Sequence, residues 1–244
     1  MSAMAEVITV DFAKAHPLFV LPAVVLLPHS RQRLHVFEPR YRQMVDRCLA
    51  KGRGNMLRSA QIALAVVEPE AIIDGSWPEP APLRDAVCVG QIVQHQALPD
   101  GRHDIVLHGV CRARIVELEE PDGDRLYRQA RLQHLEPPDR AFPPMRSARR
   151  AIREVMSGPR LRRMNSIRAL LDWWSREELP THAMVEIVGD AIVRNECERY
   201  RLLEEPDPWA RAKILRDHLV GLDRLVAAAD RQRSGEWPKG LSWN

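Results

Sequence analysis

The sequence contains no G-x-x-x-x-G-K-[ST] segment, so it has no glycine-rich loop of the kind that cradles a nucleotide's phosphates. Its nearest glycine cluster, Gly52-Arg53-Gly54, follows an apolar-periodic stretch and suits a helix stop and loop. Serines are few and none stands in a nucleophile elbow, the strained turn that exposes an activated hydroxyl. The four cysteines, Cys48, Cys88, Cys111 and Cys197, form no C-x-x-C pair and have no histidine at metal-ligand spacing. They are expected to be reduced, mostly buried small hydrophobes, and neither a metal nor a cofactor is expected. The longest apolar run is broken by Pro22 and falls short of the ~18 residues of a membrane span. Residues 1–16 include Glu6 and Asp11 and lack an uninterrupted apolar core, which argues against an export signal and for the cytoplasm.

What is present is ordinary for a soluble globular protein: 45% hydrophobic and 28% charged residues in a chain of 244, with a formal charge of +3. A chain of that length buries roughly 70% or more of its unfolded surface, enough for a substantial core.

The segment from Pro17 to Leu49 organises the rest. Two short apolar runs, Leu18 to Leu21 and Val24 to Leu27, are each closed by a proline (Pro22, Pro28), which suits short strands or strand ends because proline donates nothing to a ladder. After the polar turn His29 to Arg33, residues Leu34 to Phe37 suggest a third strand that passes into Glu38-Pro39-Arg40-Tyr41. Pro39 fits the first position of a helix, and Tyr41, Met44, Val45, Cys48 and Leu49 recur along one apolar face, with Gly52 a plausible left-handed stop. Phe37, Tyr41 and Met44 are expected to be core, with Glu38 and Arg40 serving the strand-to-helix junction.

Gln61 to Val67 is a continuous apolar run of strand length, followed by a proline- and acid-rich loop over 68–84 that contains Trp77. Val87 to Leu98 and Ile105 to Leu118 are β-rich and joined by Pro99-Asp100-Gly101-Arg102, a strong hairpin signal. A second Asp-Gly, at Asp122-Gly123, turns the chain towards Leu126 to Leu135. Pro137-Pro138 and Pro143-Pro144 then end the β pattern. Helical periodicity follows: Met145, Ala148, Ile152 and Val155, then Ile167, Leu170, Leu171 and Trp174 behind an Asn165 or Ser166 cap, then a helix capped by Thr181. A short helix over 196–203 precedes the best-marked one, where Asp207-Pro208 supplies an N-cap and a proline at the first helical position.

The order of these residues resembles the Lon protease N-terminal, substrate-binding domain family. That family opens on the patterns PLFPLP, VLFPG and LxIFEPRYxxM, matched here at Pro17, Leu18, Phe19, Leu21, Pro22, Val25, Leu26, Pro28, Leu34, Phe37, Glu38, Pro39, Arg40, Tyr41 and Met44. Val20, Leu27 and His29 depart from it. His29 matters most, because it stands where the family has a glycine able to reach positive φ. A second block, V-G-x-I, L-P-D-G-R and I-x-L-x-G-x-x-R, is matched through Gly90, Asp100, Gly101, Gly109 and Arg112. Leu179-Pro180, Leu202 to Glu204, and Arg211 with Leu215 and Leu219 extend the resemblance over about residues 17–225.

The resemblance implies an α+β fold: a PUA-like β pseudo-barrel with one inserted helix over 17–138, then a helical bundle over 139–230, flanked by an extension (1–16) and a tail (231–244). It further implies a free-standing recognition module without ATPase or peptidase parts, one that holds unfolded or apolar segments of protein clients or meets a protease or chaperone partner. No catalytic residue is expected. Asp100, His103 and His108 are better explained as solvated turn residues than as parts of a triad. Trp77 is weighed as a contact anchor against the plainer role of pinning its loop. Between Arg140 and Arg163 the chain carries eight arginines against a single glutamate, and Arg146, Arg149, Arg150 and Arg153 fall on one helix face. An RNA-binding stripe is therefore the alternative, although a solvated helix face explains it better at so small a net charge.

Overall fold

The first strand forms where the sequence alternates side chains between two buried faces. In a computed structural model of the protein, which describes residues 8–136, 144–175 and 179–231, β1 spans His16–Leu21 and pairs in parallel with β3, Ile62–Val66. The remaining strands are β2 (Arg31–Val36), β4 (Ala86–Ala97), β5 (His103–Glu119) and β6 (Gln129–His134). The sheet order is β2-β5-β4-β3-β1-β6, and β6 also pairs with β5, so five strands close into a ring from which β2 is left as an outer edge. The ring is closed because β5 is long enough to serve twice, its first half pairing β2 and its second half β6. Register shifts at Val89/Gly90, Ile92/Gln94 and Ile115/Glu117 supply the bends, since an unpaired extra residue sharpens local twist.

Alternate residues fill the ring: Leu18 and Val20, Ala63 and Ala65, Val87 and Val89, Ala130 and Leu132 are all buried together. The alanines keep the interior narrow. On the other face of β1 lies α1, Pro39–Lys51, which starts at Pro39 and buries Tyr41, Met44, Val45 and Cys48. The Tyr41 ring stacks on Phe19 at 4.2 Å. Its hydroxyl donates to the Val20 carbonyl at 3.0 Å and accepts from the Val20 N–H at 3.2 Å, so the one polar atom of this side chain is satisfied where water is excluded.

Two local expectations are corrected, and the turn at His29 is resolved. Val24 to Leu27 is not a strand: Val25, Leu26 and Leu27 are buried, but their segment joins no ladder and is fixed through Ser30, whose hydroxyl bonds the Leu27 carbonyl at 2.7 Å. Gly52 has an ordinary helical φ of −77°, and the left-handed positions fall at Arg53 and Gly54. His29 does reach the left-handed region (φ 64°), so the turn keeps the shape that glycine would favour and carries it on a histidine.

By its contacts the chain divides into Met1–Ala141 with Arg194–Pro206, and Phe142–Val193 with Asp207–Asn244. The first unit therefore includes α5, Glu196–Glu204, which buries Tyr200, Leu202 and Leu203. The Tyr200 hydroxyl accepts from the Ala86 N–H at 2.7 Å, and the Arg84 guanidinium lies 3.2 Å over its ring. Arg112 is buried in the same unit, donating to the Leu203 carbonyl at 3.1 Å and ion-paired to Glu136.

The second unit contains α2 (Arg146–Met156), α3 (Asn165–Trp174), α4 (Thr181–Ile192) and α6 (Pro208–Arg231). Ile152, Ile167, Trp174, Met184, Val188, Leu215 and Leu219 are buried, and Arg211 pairs with Glu186 at 2.8 Å where both are almost wholly enclosed. The Asp207 carboxylate caps α6 through the Trp209 and Ala210 N–H groups, as the sequence predicts. The other two expected caps are replaced. Met164 occupies the cap position of α3, and Thr181 sits inside α4 with its hydroxyl donated to the Pro144 carbonyl at 3.0 Å. The expected breaks at Pro137-Pro138 and Pro143, and the tail beyond Arg231, lie outside the described residues.

Burial sets how stability of the strand unit should vary with pH. It raises the Cys48 and Cys111 thiols from 9.0 to about 12 and the Tyr41 and Tyr200 phenols from 10.0 to about 12. It lowers His16, His95 and His108 from 6.5. Groups raised in the folded state contribute fully below their unfolded pKa and lose that contribution as pH climbs towards the folded value; the depressed histidines contribute above 6.5 and lose it as pH falls. Melting temperature at constant ionic strength is therefore expected to be highest between about pH 7 and 9, falling on both sides. A flat profile up to pH 11 would mean that these thiols and phenols are accessible to water.

Candidate functional site

The edge position of β2 creates the surface that the rest of the strand unit does not use. Its sequence, RQRLHV, alternates exposed and half-buried residues up to the buried Val36. Side chains two apart share a face, so Arg33, His35 and Phe37 line the outer one. Phe37 is 60% exposed. This corrects the expectation that it belongs to the core: Tyr41 takes the place against β1, and Phe37 projects beyond the strand with its ring 6.2 Å from that of His35.

Behind this row β2, β5 and β4 form a three-stranded flap, in register at Arg33↔Val106 and His35↔Asp104 on one side and at Gln94↔Val106 and Gln96↔Asp104 on the other. A cleft of about 590 Å³ opens over it, lined by Arg33, His35, Gln94, Gln96, Asp104 and Val106 among others. Its polar rim is ordered. His35 Nδ1 donates to Asp104 Oδ1 at 2.7 Å, which leaves Nε2 to accept from Arg102 Nη1 at 3.3 Å. Arg102 is held in turn by Asp100, whose carboxyl the guanidinium pulls down to about 2. Among the described residues the cleft is lined by polar side chains of His, Asp, Gln and Arg and by Leu34, Ile105 and Val106, so it offers both hydrogen bonds and apolar contact.

The turns that hold the flap account for the motif residues. Gly101 adopts φ +77° in the β4–β5 hairpin, with Asp100 accepting from the Arg102 N–H. Gly109 lies against the carbonyl of Leu27, and its own N–H and C=O bond Ser30 and His29 at 3.0 and 2.8 Å, locking the turn into β2 onto β5. Gly90 sits under Leu26. Arg40 bridges Glu38 at 2.9 Å and Glu79 at 2.7 Å, fixing the junction where Phe37 emerges. Pro17, Leu18 and Phe19 are buried in β1, and Pro22 and Pro39 mark the end of β1 and the start of α1.

Other candidates fall elsewhere. His103 is buried rather than solvated, its Nδ1 3.1 Å from His95 Nε2 and its Nε2 3.4 Å from Asp46, so the expectation of a turn residue in water is corrected. Trp77 is half-buried and packs against the ring core. Arg149 is turned inward: it donates to the carbonyls of Trp174 and Leu179, both at 2.9 Å, and lies 5.7 Å over the Trp174 ring. Arg146, Arg150 and Arg153 are exposed. No group of three or more metal-ligating side chains occurs among the described residues, and no described helix is long and apolar enough to cross a membrane. The sequence hid the flap because an apolar residue beside a strand carries the same signature whether it packs or protrudes. The alternation of Arg31, Arg33 and His35 was the available signal, since charges at every second position mark an exposed edge.

The strand unit thus combines a ring with an inserted helix, an outer edge strand and an exposed aromatic beside a histidine of the polar cleft. Residues 15–221 match the ATP-dependent protease La (LON) substrate-binding domain, and the chain belongs to that family. Among solved structures it is similar to the N-terminal domain of Mycobacterium avium complex Lon protease, at 17% identity and a TM-score of 0.61, over 85% of this chain and 98% of that one. It is also similar to a Lon N-terminal domain protein from Xanthomonas campestris, at 22% identity and a TM-score of 0.53, over 88% and 98% of the two chains. These likenesses support the α+β fold, which among the described residues of this chain is a mixed sheet of six strands with six α-helices. No curated protein matches the chain.

Proposed function

We propose that this substrate-binding module holds extended, apolar segments of client polypeptides on the β2–β5–β4 flap, with Phe37 as anchor, and that it acts by recognition without turnover, as an adaptor or regulator in proteolysis. The observation that carries this reading is the exposure of Phe37, whose ring lies 6.2 Å from that of the cleft-lining His35. A large aromatic left in water is a costly way to build a surface, and aromatic anchors beside a polar rim are what interface hot spots use. β2 adds a second means of holding an extended chain, because it pairs with a strand on one side only and alternate backbone groups face outward. The alternative, RNA held on the arginine stripe of α2, is weakened by Arg149, which is occupied with carbonyls of its own unit.

Phe37→Ala is the test. Because the side chain is exposed, stability should change by no more than about 0.5 kcal/mol. Affinity for a reduced, carboxymethylated model protein, followed by fluorescence anisotropy, should fall by roughly tenfold or more, as for a hot-spot residue. Binding by wild type should weaken little between about 50 and 200 mM salt, where phosphate contacts would lose orders of magnitude. An unchanged affinity in the variant would move recognition away from the flap.

A further inference from the structure

The helical unit carries a surface that the client reading does not use. Between α2 and α6 an open groove of about 270 Å³ is floored by Ala148, Ala151, Ile152 and Ala212. Three alanines leave it concave where larger residues would have closed it. Trp209, in the first turn of α6, lines the groove and remains 42% exposed. Alongside α2 is about 16 Å long, the length of three helical turns.

Charge distinguishes the groove from a merely underfilled contact. Lys213 and Arg216 line it from α6. On α2, Arg146, Arg150 and Arg153 recur at i, i+4 and i+7, on the row next to Ser147 and Ala151. Arg160 and Arg163 in the same unit are neutralised by Asp223 and Asp230 at 2.9 and 2.5 Å. Arg146, Arg150, Arg153 and Lys213 make no ion pair with a described residue. The acids nearby in sequence are Glu154 on α2, Asp207, which caps the first turn of α6, and Asp217, which meets Arg216 at 3.4 Å. An aliphatic floor thus lies beside a cationic margin supplied by α6, and α2 carries a further row of exposed arginines outside the groove lining.

We propose that the α2–α6 groove is a second docking surface, which seats one amphipathic helix of a partner protein, its apolar face on the alanine floor and Trp209 and its Asp and Glu side chains facing Lys213 and Arg216. A third helix laid along a pair buries its apolar stripe by the packing that built the pair. The floor favours a protein helix over nucleic acid, because a phosphate backbone needs cations but gains nothing from an aliphatic trough. The proposal does not depend on the reading of β2.

The test uses the full chain and a fluorescein-labelled, alanine-based helical peptide of roughly 15 residues, with leucines along one face and glutamates on both flanks. Anisotropy should show saturable binding, and the same peptide with glutamine for glutamate should bind about tenfold more weakly. Lys213→Glu with Arg216→Glu should cause a similar loss, and a peptide with lysine flanks should recover binding to that double variant. This rescue is informative even if the variant is somewhat destabilised. Phe37→Ala should leave the peptide affinity unchanged. Equal binding of the glutamate and glutamine peptides, failure of the charge-swapped rescue, or tighter binding of oligouridine that is lost through the same reversal would each overturn the proposal.

Discussion

Arg112→Met is expected to destabilise the strand unit by about 3–5 kcal/mol, the usual cost of removing one partner from a buried charged pair. Arg112 is 1% exposed, on the face of β5 opposite the ring core and towards α5. Its guanidinium is shared between the Glu136 carboxylate and the carbonyls of Leu203 and Leu202, at 3.1 and 3.4 Å. Methionine fills much of the same volume, so packing survives while Glu136 is left charged and enclosed, and two carbonyls at the end of α5 lose a donor. Each unsatisfied buried group adds about 1–3 kcal/mol. Pairing the change with Glu136→Gln should recover part of the loss, because a buried carboxylate that has lost its guanidinium neighbour is then replaced by a neutral amide. Urea denaturation of the single and double variants measures both quantities. A loss below about 1 kcal/mol for Arg112→Met would mean that water reaches Glu136 and that α5 is held by its apolar side chains alone.

The second large effect is expected at Gly109. A Cβ built there falls 2.1 Å from the Leu27 carbonyl oxygen and 2.9 Å from its carbon, distances that only backbone movement can relieve. The movement would pull apart the bonds between Gly109 and the turn residues His29 and Ser30, at 2.8 and 3.0 Å, which set where β2 begins. Overpacking costs about 1–3 kcal/mol and two lost backbone bonds about 1 kcal/mol each, so Gly109→Ala should cost about 3 kcal/mol or more. Because the displaced element is β2, client affinity should fall with stability, unlike in Phe37→Ala, where only affinity is expected to change. Gly90→Ala is the control. Its nearest neighbour is the Leu26 methyl Cδ2 at 3.1 Å, a flexible side-chain atom that can yield, so the variant should lose much less. If the two alanine variants melt together, the turn into β2 tolerates movement and Gly109 is not what positions the flap.

Much of this protein was legible in the chain because short-range chemistry decided it. Proline at position 39 and the Tyr41, Met44, Val45, Cys48 stripe specify α1 without reference to anything distant. Asp100-Gly101 specifies the β4–β5 hairpin because a turn of that shape needs positive φ, and Asp207-Pro208 starts α6 because a carboxylate there satisfies N–H groups that have no helical partner. The order of strands, inserted helix and later helices, and with it the family, followed from such signals.

What the tertiary structure alone decided was the destination of side chains whose local signature is ambiguous. Val25, Leu26 and Leu27 are as apolar as a strand, yet they are buried without joining one, because burial requires only packing and a ladder requires a partner in register. Phe37 and Tyr41 stand four residues apart in one motif. Tyr41 is 3% exposed and Phe37 60%, because α1 covers β1 with the first while β2 ends the sheet and offers the second nothing to pack on. Arg149 and Arg150 are adjacent and chemically identical, and only the position of Trp174 and Leu179 turns the first inward and leaves the second in water. Hydrophobicity and charge are properties of a residue and are written in the sequence; exposure is a property of its neighbours, and those are brought together only by contacts far apart along the chain.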